Sequence, residues 1–538
     1  MPWDPRHQAC IPVLTIHGGP VRPGPAGGGE QPPATPADEG EPARPGLAKV
    51  SVVRALRDAD RIATVYGSTP GETVALLEWL LGVLYAAGCH PESHGEWSAW
   101  VEERRPLTDA ADWLADHPGV WDLFDAERPL GQNAALLRHV DEFGVGPAQL
   151  VIEHAGDYNQ HFDHRHLHHP EPLPADAAWR AMLTQHAFGQ GRRARIPAKE
   201  MGLPAPFTNL STCRLGSRIR VLALGPTLGD TLRLNLAPWD GDDPGTFNLT
   251  WGDRSCRRSF HRTGAHEVRR PDGPADLHTV LGRSVALRAA ALPNGEPGVD
   301  RVLVGPGETL VELPDVYRQD EVMVLRAGKP VTLKPQASRE LWRESHALYA
   351  AVAERVKGND LYGRLAMLRS VRPELWAVGL LADKGNPIAW VDDRFPFVPG
   401  REAGLRQASE QGSAVAEYAA AALRAAAATA CEHVYPNARP TDRSAQSARF
   451  DGEPELWAGA GTEFHAMLDA VADGHPVGPA LDRFGAAIRA LATDALKARL
   501  DSLRLAGREL KAHTMALKRL QDVLDHPDAP NPLKETAA

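Results

Sequence analysis

The sequence predicts an α+β protein, with a large mixed α/β N-terminal domain followed by a C-terminal four-helix bundle. Three observations lead there. Up to about residue 398, strand-type and helix-type patterns alternate among many loops. After Pro399-Gly400 the composition shifts to an Ala-rich, helix-forming sequence. Beyond it, apolar residues recur at alternating three- and four-residue spacing, which draws one stripe along a helix. The 538 residues are enough for two or three domains, each with its own core.

In chain order, Ile11-Pro12-Val13 reads as a short strand. Residues 18–47 are rich in Pro and Gly and nearly free of large apolar groups, so they are expected to be a flexible insertion. Residues 71–88 are apolar on most of a helix circumference, the mark of a core helix. Residues 174–188 form a second helix. Residues 219–238 read as strand-type runs broken by the turn Gly225-Pro226, and 240–275 as loop. Near 284–313, two strands flank the turn Pro293-Asn294-Gly295. Helices follow at 401–434 and 455–471, then along Leu481, Phe484, Ile488, Leu491 and Ala495, then along Leu510, Leu517, Leu520 and Leu524. Short connections make residues 399–525 an antiparallel bundle, with 526–538 as a flexible tail.

About 43% of residues are hydrophobic and 24% charged, as in globular domains, and the formal net charge is -10. An acidic chain that binds nucleic acid must do so through a local basic surface. The five cysteines are dispersed and include no CxxC pair, which argues against a disulfide framework or a cysteine zinc site. No basic start leads into an apolar run, and no apolar stretch approaches membrane-spanning length, so the chain is expected to be cytoplasmic.

The sequence contains no Walker A loop, no GxGxxG after a strand, no GxSxG elbow and no HExxH helix. What remains is a set of polar segments. From His154 to His169, six histidines and two aspartates crowd one stretch, a density that allows zinc or nickel binding, though its spacing matches no standard site. The loop Gly189–Lys199 combines Gly189 and Gly191, which let a ligand approach the backbone, with Arg192, Arg193 and Arg195, which suit phosphate. Arg254, Arg257, Arg258, Arg262, Arg269 and Arg270 fall within seventeen residues. Either loop alone is commonly a solvated surface, but two of them in an acidic chain point to a local nucleic-acid face. A metal-dependent hydrolase or nuclease using the histidine segment, and a helical scaffold without nucleic acid, stay open at this point.

Several segments then resemble, in order, those of the CasA family, the large subunit of type I-E CRISPR Cascade complexes. They are Ile11–Val13, Trp121–Gln132, Glu153–His164, Gln185–Gly189, Gly225–Leu236, Gly273–Leu277 and Leu341–Glu344. The resemblance implies no enzymatic activity and no cofactor. It implies a protein that reads the protospacer-adjacent motif (PAM) in double-stranded target DNA while a guide RNA reads the rest by pairing. It further implies help in opening the duplex for R-loop formation and recruitment of a separate helicase-nuclease. Implied partners are the guide-RNA 5′ handle, the target duplex and the backbone, small and handle-capping subunits.

By the same resemblance, Asn159, Phe162, Asp163 and His164 touch the RNA handle and PAM region. Gly189, Gly191, Arg192, Arg193 and Arg195 correspond to a glycine loop that enters the minor groove. The family's minor-groove lysine has no clear counterpart; the arginine-rich loop with Arg257 and Arg258 occupies that part of the chain. Lys384 and Asn386, around Gly385, stand where the family places a glutamine wedge.

Overall fold

The computed structural model describes residues 2–16, 46–154, 171–194, 196–203, 205–251, 268–310, 322–326, 329–336, 341–353, 360–504 and 506–534. The chain divides into two compact units, Met1–Ala337 with Lys357–Asp392, and Ser338–Val356 with Asp393–Ala538.

The first unit opens on β1 (Ile11–Thr15), which buries alternate residues between antiparallel neighbours β2 (Leu47–Val50) and β3 (Ile62–Val65). Between those neighbours lies α1 (Val52–Arg57), capped by the Ser51 side chain. The next helix, α2 (Pro70–Ala86), begins with a Thr69 side chain that accepts the Glu72 N–H and a proline at its first position. Every residue from Gly71 to Tyr85 is buried, as a helix apolar on most of its circumference requires. There follow α3 (His94–Glu102), α4 (Thr108–Asp116), which packs on α1, and α5 (Leu137–Phe143). After β4 (Leu173–Pro174), α6 (Ala175–Phe188) packs on α2. Trp79 of α2 meets Trp179 of α6 edge-on at 5.5 Å, and Trp121 and Phe247 extend the cluster. Such pairs contribute about 0.5–1.5 kcal/mol each beyond the burial of their area.

Short β5 (Arg192–Arg193) and β6 (Asn209–Leu210) pair antiparallel, ahead of β7 (Ile219–Leu224). Here the sequence reading of 219–238 as strand needs correction, because Leu228–Asn235 is a helix, α7. The Thr227 side chain accepts the Asp230 N–H and starts the helix, and Leu228, Leu232 and Leu236 then fall four apart on its buried side. Beyond β8 (Val268–Arg269) and α8 (Pro274–Thr279) comes a long hairpin, β9 (Arg283–Ala291) and β10 (Pro297–Pro306), with Gly295 at φ 83° in its turn. β11 (Thr309–Leu310) pairs with β8, and β12 (Met323–Arg326) with β13 (Lys329–Thr332). α9 (His346–Ala353) belongs to the second unit. After α10 (Asp360–Leu365), β14 (Glu374–Asp383) pairs with β7 on one side and β15 (Asn386–Pro396) on the other.

The second unit is helical. Its long helices are α11 (Glu402–Val434), α13 (Glu453–Ala472), α14 (Val477–Leu500) and α15 (Gly507–Leu524), with short α12 (Pro440–Ala448) between the first two. α11 packs on each of the other three long helices, completing the four-helix bundle expected from the sequence. Its buried face is made largely of Ala, Ser and Gly, and Gly412 lets Phe464 and Met467 come close. The buried stripe of α15 runs through Ala512, Ala516, Leu520 and Leu524, whereas Leu510 is exposed. Ser338–Val356 joins this unit because Trp342 packs on Phe464 with ring centroids 4.6 Å apart and Ser345 bonds Ser409 at 2.6 Å. Residues after α15 fold back along α14: Leu533 is buried, and Arg489 holds its carbonyl at 2.8 Å. Among the described residues no helix is long and apolar enough to cross a membrane.

Candidate nucleic-acid interface

The basic glycine loop starts where α6 stops. The Gly189 N–H still donates to the Gln185 carbonyl at 3.1 Å, and the chain then leaves the helix. It enters the short strand β5, where Arg192 faces Leu210 and Arg193 faces Asn209 across to β6. The loop is pinned from inside by Gln190, whose buried amide donates to the carbonyls of Phe188 at 2.9 Å and Gly216 at 2.6 Å. Gly191 rests on Thr212, close enough that an added Cβ would stand 2.8 Å from its hydroxyl. Arg193 and Lys199 are exposed, and Arg192 is half-buried.

The second segment taken from the sequence, Lys384–Asn386, is the tip of the β14–β15 hairpin. Lys384 at φ 49° and Gly385 at φ 82° make a two-residue turn with both φ angles positive, the geometry that fits the twist of paired strands. Gly385 also needs to be glycine for a second reason: an added Cβ would collide with the carbonyl oxygen of Gly191. Two segments almost two hundred residues apart in sequence therefore meet backbone to backbone, with Lys384 exposed beside the basic loop.

Further along the same hairpin, Trp390 gathers the surroundings. Phe188, the last residue of α6, meets its ring edge-on at 4.9 Å. Its indole N–H donates to Glu153, and the far end of its ring lies against Gly71 at the start of α2, where an added Cβ would collide with it. Glu153 precedes the histidine-rich segment, so the root of that segment is tied to the hairpin that carries the turn.

Beneath the loop lies Arg283, the first residue of β9 and only 1% exposed. Its guanidinium donates to the carbonyls of Ser211 at 2.8 Å, Gly282 at 3.0 Å and Gln190 at 2.8 Å, and Gly189 sits against its face. Its backbone N–H donates to His186 Nδ1 at 3.2 Å, while His186 Nε2 reaches the Gly131 carbonyl at 3.0 Å, which fixes the tautomer. Among the described residues no carboxylate pairs with Arg283. Burial pushes its guanidinium down, and burial together with Arg283 brings Arg192 down to about 10, which leaves Arg192 cationic at neutral pH. Gln190, Arg283 and Trp390 carry no signal in the sequence. Each is an ordinary residue of a loop or strand until the chain is folded.

The core handles arginine differently. Glu78 of α2 accepts Arg214, Arg220 Nε at 2.6 Å and His278 Nδ1 at 2.7 Å. Burial alone would raise its carboxyl, but the two guanidinium groups and His278 hold it well below the usual carboxylate range. Arg269, counted in the sequence among the clustered arginines, is committed to Asp276 and, at 2.7 Å, to Glu308. It anchors the chain and is not a surface cation.

Asn159, Phe162, Asp163, His164, Arg195, Arg257 and Arg258, expected from the sequence to meet nucleic acid, lie outside the described residues, as does most of the histidine-rich segment. Among the described residues no three His, Cys, Asp or Glu side chains stand together to hold a metal ion. The arrangement offers exposed cations, glycine backbone and a rigid turn at one place, a combination chemically suited to a polyanion.

The family model of CRISPR-associated protein Cse1 matches residues 42–495. The fold is similar to that of Thermus thermophilus CasA (Cse1), with a TM-score of 0.72 at 19% identity, covering 97% of this chain and 99% of that one. Cse1 from Acidimicrobium ferrooxidans gives 0.70 at 19%, covering 97% and 98%. A chain of a CRISPR RNA-guided surveillance complex gives 0.66 at 18%, covering 96% and 99%. No individually curated protein matches the sequence.

Proposed function

The chain belongs to the CRISPR-associated protein Cse1 family, and from that premise we propose that it is the large subunit of a type I-E RNA-guided surveillance complex. In that role it recognises the PAM in double-stranded target DNA, helps open the duplex for R-loop formation and recruits a separate helicase-nuclease. Its partners are the guide RNA, the target duplex and the other Cascade subunits. It performs no catalysis itself.

The observation that carries this reading is the meeting of Gly191 with Gly385, which sets the basic loop and the hairpin tip side by side. The minor groove presents few distinguishing groups, so a glycine backbone that can come close and arginines that enter a narrow groove are suitable tools there. A turn held rigid next to that grip is placed to act as a wedge where the first base pairs separate. Arg193, exposed on the loop, is assigned to phosphate or groove contact, and Lys384 and Asn386 to the wedge.

The test compares the Lys384→Ala/Asn386→Ala complex with the parent on closed and pre-opened bubble targets. A wedge leaves bubble binding nearly intact and slows R-loop formation on closed duplex. Equal loss on both makes the turn an ordinary DNA contact, and equal retention removes it from the mechanism. Metal-dependent DNA cleavage by the purified chain would instead favour a hydrolase.

A further inference from the structure

We propose that Arg283 is a positioning residue of the DNA-reading loop, fixing its backbone through the Gln190 carbonyl and lending it an uncompensated positive charge that draws the phosphodiester oxyanions of the duplex. The inference rests on the reading of residues 189–193 as a duplex contact.

Its ground is a contrast in how this protein treats buried guanidinium groups. Arg180, Arg220, Arg233 and Arg269 each meet a carboxylate at hydrogen-bond distance. Arg283 is as deeply buried and meets three carbonyl oxygens, while its Nε has no hydrogen-bond partner. Desolvating a charge without a counter-charge is costly, and a neutral amide would satisfy carbonyls at less cost. A charge kept under those conditions does something a neutral donor does not. In the low-dielectric interior its field is poorly screened and reaches outward through the loop. Directly above it lie Gly189 and Gln190, the buried start of the loop that leads to half-buried Arg192 and exposed Arg193. Gly189 has no side chain to hold them off: an added Cβ would lie 2.6 Å from the guanidinium carbon. The same side chain ties the loop to Ser211 and to the start of β9, so position and field come from one group.

The test assembles the complex with full-length Arg283→Lys and Arg283→Gln chains and measures binding to target duplexes with and without a PAM. Charge, not shape, is expected to decide the outcome. Arg283→Lys stays within about threefold of the parent, while Arg283→Gln weakens PAM-bearing and PAM-less targets alike by about tenfold. Equal losses for Lys and Gln, with thermal unfolding unchanged, would reduce Arg283 to a support of the loop, and no loss for either would overturn the proposal. Should Arg283→Gln fail to assemble, Thr212→Asp sets a carboxylate against Gly191 and leaves Arg283 in place; a several-fold loss supports the field, and unchanged binding overturns it. A parent complex without any PAM preference would overturn the functional reading instead, while the Lys-to-Gln ratio would still score Arg283.

Discussion

Around Glu78, two arginines and a histidine converge on one carboxylate, whereas beneath the loop 189–193 Arg283 meets only carbonyl oxygens. Both sites lie in the same unit, and both bury guanidinium groups almost completely. The first site ties α2 to the segment 214–220 and to α8 and is closed electrically. The second is left open, and its excess charge sits under a surface already supplied with Arg192 and Arg193. A chain with a formal net charge of -10 can therefore present a local cationic face, because the carboxylates are withheld from one buried arginine rather than because basic residues are numerous.

The sharpest way to break this comparison is to open the closed site. Glu78→Gln strands two buried guanidinium groups and should cost about 3–5 kcal/mol in urea unfolding, with DNA binding by the folded protein unchanged. A cost below about 1 kcal/mol would mean that the carboxylate is not what makes the core arginines tolerable. The parent should also show an acid limb that the variant lacks. Because the Glu78 carboxyl titrates below its ordinary 4.5 in the fold, its contribution is complete above that value and is lost as pH falls further toward the folded pKa.

On the open side, Gly385→Ala forces a Cβ onto the Gly191 carbonyl at a residue with φ 82°, and about 1–2 kcal/mol of stability should go. Slower R-loop formation should accompany that loss, since loop and turn shift together. Normal stability and kinetics would show that the two segments are independent.

Arg193→Ala should have a smaller effect, weakening all duplexes about equally and making the dependence of log affinity on log salt shallower by about one. A change confined to one PAM would instead mark Arg193 as a base reader. The smallest effect is expected for Lys384→Ala, an exposed residue whose loss should move the melting free energy by less than about 0.5 kcal/mol. A larger shift would show that the tip is held by its side chain and not by Gly385.

Much of the fold was legible because local signals agreed. A run apolar on most of a helix circumference marked α2, and Asn294-Gly295 between apolar runs marked the β9–β10 hairpin. Leu228–Asn235 is ambiguous in sequence because leucines among polar residues suit either period; the deciding signal is Thr227 with Asp230 three residues on, a helix start. At the site, glycine, arginine and the Lys-Gly-Asn turn were visible as chemistry. Their contact was not, since nothing in the sequence relates Gly191 to Gly385. Arg283 was less visible still: its importance lies in the carboxylate that is missing beside it, and only a folded chain has a beside.

The two-residue turn of the β14–β15 hairpin has a kinetic consequence. With Lys384 and Gly385 both held at positive φ and Gly385 backed by Gly191, the backbone freedom of this tip is removed during folding and not on meeting the target. Productive collisions with DNA then do not wait for the tip to order. Substitutions that loosen it should slow association of the complex with closed duplex, while the lifetime of complexes already formed stays close to that of the parent.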